Sequence, residues 1–259
     1  MVDHLREKSF KGNVFNEARR LVIWYYHWLI IHEYLYKIMD WEIFEKIMEE
    51  GCQYYTQPDA MPLEFSGAAF RVGHSQTREK NKISAKTDKK MFDLGSFTFM
   101  EEYVDWHYLF NFGDKKCQFA KLIDTKVGKS FHDIPFIKSK VKAERSLPFL
   151  NLRRGVAYGL PSGESVANRL GFEPIKVEET KKYKLDGTPL WYYILREAEL
   201  EGHGGEHLGP VGSTILGECF MTIIRNDDFS FMKLHPRWKP TLGKDIGEFE
   251  FTDLVRFIS

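Results

Sequence analysis

The sequence predicts a mainly α-helical fold, and three observations carry that prediction. Between Asn16 and Met39 the apolar residues Leu21, Trp24, Trp28, Ile31 and Leu35 recur at helical spacing and form one stripe. Further along, Pro161-Ser162, Thr188-Pro189 and Gly209-Pro210 each place a helix-start signal ahead of a helical run, and Gly171 supplies a stop. The extended piece read from the chain, Phe92–Phe99, alternates only weakly.

Composition narrows the function classes. At 259 residues the chain can bury a substantial core in one domain or two small ones. Lysine plus arginine and aspartate plus glutamate each total 37, so the net charge is zero. That balance gives no electrostatic case for nucleic acid or an anionic membrane. Aromatic residues make up 15% of the chain, which suits a large apolar interior or a planar cofactor. Cys52, Cys117 and Cys219 are odd in number and lack paired spacing, against a disulfide framework or a structural zinc site. No apolar run is long enough to span a bilayer, and the N-terminus is charged and unlike a signal peptide. The default expectation is a soluble, cytoplasmic chain, unless an upstream signal has been lost. No internal repeat or low-complexity tract suggests another organisation.

Taken in order, Met1–Gly12 is charged and helical at first, with no cap ahead of it. Asn16 is the expected cap of the long helix to Met39. Within it His27 and His32 lie five apart, too far round the helix to chelate a metal, and His32-Glu33 lacks the second histidine of a zinc-protease helix. Trp41–Gly51 reads as a second helix and Cys52–Ala60 as a turn-rich link. Met61–Thr77 (MPLEFSGAAFRVGHSQT) is expected to be a helix with Pro62 at its first position. Gly67, Arg71, His74 and Arg78 then share one face, with Ser66, Ala68 and Ala69 leaving room for something bulky and flat. A neutral imidazole there suits an axial ligand of haem iron, and an arginine one turn earlier suits a propionate. Spacing alone favours a plainer reading, a buried histidine satisfied by a neighbour with the arginines reaching solvent.

Glu79–Lys90 is a charged run interrupted by acids and reads as a solvated loop. Glu101–Phe112 is compatible with a short helix, and its His107 reads as structural. A helix through Leu150–Arg154 should end near Gly155 or Gly159, and Pro161-Ser162 should open the next, with Glu164 in its first turn. The simple role of Glu164 is a carboxylate favourable against the helix dipole. Thr188–Glu201 is a helix with Thr188 as cap and Pro189 at the first position. The glycine-rich loop after it holds His203 and His207, whose spacing leaves a weak surface metal site as an outside reading. That loop lacks a preceding strand and the P-loop lysine, so it is no phosphate cradle. A helix from Gly209-Pro210 carries Ile215, Leu216, Cys219, Phe220 and Ile223 on its buried side, and a last short helix is capped by Thr252.

The segment Phe70-Arg71-Val72-Gly73-His74-Ser75 resembles the proximal-histidine motif of the animal-type haem peroxidase superfamily, particularly its bacterial members. NEARRLVIWYYHWLIIHEYL resembles the helix before that motif. Asp124-Thr125-Lys126, Leu147–Gly171 and Asp253-Leu254-Val255-Arg256-Phe257 resemble later segments in the same order, so the likeness runs over essentially the whole chain. It implies that residues 1–259 are the proximal part of a haem-peroxidase-like helical domain, truncated on its N-terminal, distal side. The implied cofactor is haem, b-type or covalently modified. The resemblance makes His74 the proximal iron ligand and Arg71 a propionate partner. It places Glu164, where an amide residue is more familiar, as acceptor of the other ring proton of His74, which would give that ring imidazolate character. The implied partners are hydrogen peroxide and a small organic or halide substrate, and the implied activity is peroxide-dependent oxidation at ferric haem.

A peroxidase also needs a distal histidine to move a proton between peroxide oxygens and an arginine to stabilise the separating charge. In the family both precede the helix matching Asn16–Met39, and only fifteen residues precede Asn16 here. No distal role therefore passes to His4, Arg20, His27 or His32. Three readings follow: a peroxidase or related dioxygenase completed by a distal-half chain, a catalytically inactive helical remnant or partner-binding module, and an unrelated helical hydrolase or metal enzyme. The third has neither a nucleophile elbow nor suitable metal-ligand spacing behind it.

Overall fold

The computed structural model describes residues 1–93 and 104–258, and among these the fold is mainly α-helical. Helix α1 (Val2–Glu7) leads through a turn to α2 (Val14–Leu29). The cap of α2 is Asn13, whose side chain accepts from Asn16 N at 3.0 Å, so the helix starts before the expected Asn16. It continues through a π-helical stretch, Ile30–Leu35, into the short turn α3 (Tyr36–Ile38). The stripe does its expected work: Trp24, Ile31 and Leu35 are all buried. Asp40 caps α4 (Trp41–Glu50), and Arg225 Nη2 donates to the carbonyls of Ile47 and Met48 at its far end.

The core is organised around two later helices, α9 (Leu190–Glu201) and α10 (Pro210–Asn226). Leu190, Tyr193, Ile194 and Leu195 of the first and Val211, Leu216, Cys219 and Met221 of the second are all but fully buried. Side chains of this size contribute about 1.5–3 kcal/mol each when fully buried, so these two helices fix the centre of the molecule. Against them pack α7 (Leu147–Ala157) and α8 (Gly163–Leu170). Helix α8 is bounded as expected, by a Ser162 side-chain cap and by Gly171 in the left-handed region at φ +82°. It approaches α9 closely, since a Cβ at Gly163 would lie 1.9 Å from Cγ of Tyr193. Short helices α11 (Phe231–Leu234) and α12 (Phe251–Ile258) follow, and a smaller cluster of Tyr25, Leu29 and Phe249 ties the C-terminal region to α2.

Several expectations are corrected. The charged run after His74 forms a small antiparallel hairpin, β1 (Lys80–Lys82) with β2 (Asp88–Lys90), in register Asn81 to Lys89. Backbone pairing there outweighs the low strand propensity of its lysines. Only part of Phe92–Phe99 and of Glu101–Phe112 lies within the described residues. What is described is a 3₁₀ turn at Met91–Asp93 and another at Trp106–Tyr108. Pro189 is the cap residue of α9, not its first residue, because its ψ of 130° is extended. Thr188 is instead buried and donates no helix cap. Thr252 lies inside α12, and Ile223 is partly exposed. No helix among the described residues is long and apolar enough to cross a membrane.

Candidate functional site

The stretch carrying His74 is a broken helix, not the continuous one its periodicity suggests. Pro62 is the cap of α5 (Leu63–Gly67), a 3₁₀ turn covers Ala69–Arg71, and α6 (Gly73–Gln76) follows. The break falls at Ala68, whose φ of −132° and ψ of −70° leave the helical region. Tertiary packing holds it there. Phe65, Ala68, Ala69 and Val72 are buried in the core, and Trp191 Nε1 of α9 donates to Arg71 O at 3.3 Å. Upstream, the buried carboxylate of Glu218 accepts from the backbone N–H groups of Gln53, Tyr54 and Tyr55 at 2.7–2.8 Å, fixing the link into α5.

Because the helix is broken, Gly67, Arg71, His74 and Arg78 do not lie along one face. Arg78 turns to donate to Phe119 O at 2.8 Å. Arg71 and His74 remain neighbours, and α7 brings two more side chains to them. Asn151, fully buried, places Nδ2 3.1 Å from His74 Nδ1, and its Oδ1 accepts from Arg154 Nη1 at 3.1 Å. Burial first, then the charges of Arg71 and Arg154, hold the His74 pKa below its usual value, so the ring is neutral at neutral pH. Burial and the nearby Arg154 charge also lower the Arg71 pKa, while Tyr158 opposes them. Arg71 donates from Nε to Ser66 O at 3.0 Å, and neither guanidinium meets a carboxylate among the described residues.

The expectation for Glu164 is corrected. Its carboxylate accepts from Thr188 N at 2.8 Å, across the contact between α8 and the start of α9. A separate helix beginning after Pro161 carries Glu164 to that contact, and the side chain bonded to His74 is Asn151, thirteen residues earlier on α7. Asn151 and Arg154 were not singled out from sequence. Their signal is an amide and a guanidinium at i and i+3 on one helix, which share a face. His107 places Nδ1 2.7 Å from Asp114 Oδ2.

The donor set fits haem on its chemistry. A neutral imidazole can give a lone pair to iron, and two guanidiniums without acidic partners suit a pair of propionates. A Cβ built on Gly73, next to His74 in sequence, would meet nothing within 4 Å. A groove of about 370 Å³ between α7 and the start of α9 is lined by Asn151, Leu160 and Trp191 and not by His74.

Residues 3–181, more than half the chain and including every residue of this cluster except Trp191, match the model of the animal haem peroxidase family. The chain belongs to the animal haem peroxidase family. Among curated proteins it is similar to Heme peroxidase 2 of Caenorhabditis elegans, with 25% identity over 249 residues, covering 84% of this chain and 34% of that protein. The chain therefore spans about a third of the length of that relative. Of the cluster's residues, His74, Asn151, Arg71 and Arg154 all lie within the matched region.

Proposed function

We propose that this chain forms the proximal wall of a haem peroxidase site, with His74 as the axial iron ligand and Arg71 and Arg154 as propionate partners. The observation that carries the reading is a neutral imidazole beside two guanidiniums that no carboxylate among the described residues neutralises. Bound haem would supply the redox-active iron for peroxide-dependent oxidation of a small organic or halide donor. The chain's own residues hold and orient it. Asn151 governs the proton on His74. With its amide nitrogen toward Nδ1, that ring nitrogen accepts and Nε2 keeps the proton. A half-turn of the carboxamide puts Oδ1 on Nδ1–H and frees the Nε2 lone pair. Arg154 now occupies Oδ1, so an anion that draws Arg154 away favours the ligating tautomer.

The distal imidazole and arginine that peroxide cleavage needs belong, in this reading, to a companion segment that closes the pocket from the other side. Uncovered apolar side chains support an absent neighbour. Phe15, Val22 and Tyr26 line one exposed face of α2, and Phe149, Leu152 and Val156 line one face of α7, where Val156 is 83% exposed. The test is oxidation of a phenolic dye by peroxide, with haemin-loaded chain alone and with an added distal-half fragment. Activity that appears only on mixing supports the split site. Haemin binding without activity in either condition would instead favour the inactive, partner-binding reading.

A further inference from the structure

A cavity of about 420 Å³ lies between the link at residues 52–60, α8 and α10, and none of the His74 cluster lines it. Its walls are held in place. Glu218 of α10 accepts from the backbone N–H groups of Gln53, Tyr54 and Tyr55, and Thr222 Oγ1 donates to Tyr55 O. The Tyr54 hydroxyl donates to Leu170 O at 3.0 Å, which ties the link to the end of α8. Tyr54, Val166, Leu170 and Ile215 supply apolar surface, and the volume falls in the range of about 300–1,000 Å³ common to small-molecule sites.

Three polar groups of the lining are left over. Glu64, in the first turn of α5, is half-buried, and its carboxylate meets no donor or cation among the described residues. Arg169, in the last turn of α8, has no acidic partner among them either, so the two charges do not pair with each other. Tyr55 is 8% exposed, and its buried hydroxyl finds no partner among the described residues. A phenol that packs into a core usually pairs its O–H, because a buried unpaired group costs folding free energy. Glu218 differs from these three, since backbone donors already occupy both its oxygens.

We propose that this cavity binds a free aromatic amino acid with a polar ring atom, tyrosine or tryptophan. An anion alone would face the Glu64 carboxylate, and a cation alone would face the Arg169 guanidinium. A zwitterion satisfies both, with its ammonium on Glu64 and its carboxylate on Arg169. Its ring lies against the apolar walls, and its hydroxyl or indole N–H supplies the partner that Tyr55 lacks. The site needs no haem.

The test is calorimetric titration of the full, haem-free chain with L-tyrosine and L-tryptophan, repeated in His74→Ala to keep the outcome separate from the haem site. The expected result is saturable binding at one ligand per chain, equal in both proteins. Glu64→Gln and Arg169→Met should each weaken it about tenfold or more, with circular dichroism unchanged. Tyramine, which lacks the carboxylate, should bind the native chain and Arg169→Met alike, and Tyr55→Phe should abolish the preference for tyrosine over phenylalanine. No saturable binding of either amino acid below millimolar would overturn the proposal. Unchanged affinity in both Glu64→Gln and Arg169→Met would also overturn it.

Discussion

His74 and its partner Asn151 are separated by 77 positions, and they illustrate what one residue can and cannot announce. The imidazole sits inside a recognisable local string, whereas the amide is chosen by where α7 stops and how it packs. A sequence reading that placed the histidine's partner after Pro161 therefore reached Glu164, which binds Thr188 N instead. The geometry makes a prediction for haemin-loaded protein. Asn151→Ala should weaken haemin binding by roughly 10–100-fold, and Asn151→Asp should lower the iron reduction potential by giving the ring imidazolate character. Glu164→Gln should leave the potential unchanged, and a shift there comparable to that of Asn151→Asp would restore the rejected contact. A second residue controls stability. Glu197 is buried and accepts from Val211 N and Gly212 N at 3.0 and 3.1 Å, yet burial outweighs these bonds and pushes its pKa from 4.5 to about 8. The folded state thus holds this proton more tightly than the unfolded chain. Its contribution is full below about pH 4.5 and lost as pH rises through about 8, by at most about 5 kcal/mol. Thermal melts between pH 5 and 9 should show this decline, and Glu197→Gln should flatten it.

At the scale of elements, the helices with strong end signals were legible. Ser162 and Gly171 bound α8 as their chemistry requires, and the Gly209-Pro210 start of α10 stands where the sequence puts it. The break in the His74 helix was not legible, because nothing in Gly67–Val72 forbids a continuous helix. Burial of Phe65, Ala68 and Ala69 and the Trp191 bond to Arg71 O impose it from outside. The hairpin at Lys80–Lys90 was missed for the opposite reason, since its lysine-rich strands carry no alternation. Packing at one glycine offers a test. Gly163 admits Tyr193 of α9 against its backbone, so Gly163→Ala should destabilise the fold by about 1–3 kcal/mol or more through overpacking. A denaturant midpoint unchanged in that variant would show that α8 and α9 can slide apart without cost.

Across the whole molecule, a well-packed core around α9 and α10 coexists with apolar faces on α2 and α7 that nothing covers among the described residues. Their exposure agrees with a chain that matches about a third of its curated relative's length. If a distal-half fragment seats on these faces, binding of an environment-sensitive apolar dye to the chain should fall as the fragment is added; dye binding that is indifferent to the fragment would remove that role. The mainly helical class followed from periodicity, and the family from the segment around His74. The two arginines converge only through tertiary structure, since Arg71 and Arg154 lie far apart in sequence, on the His74 segment and on α7. The measurement that tests the central claim most directly is an optical titration of the full chain with haemin, compared with His74→Ala. The account predicts a histidine-ligated Soret band saturating at one haemin per chain and its loss in the variant; the same band at the same affinity in His74→Ala would contradict it.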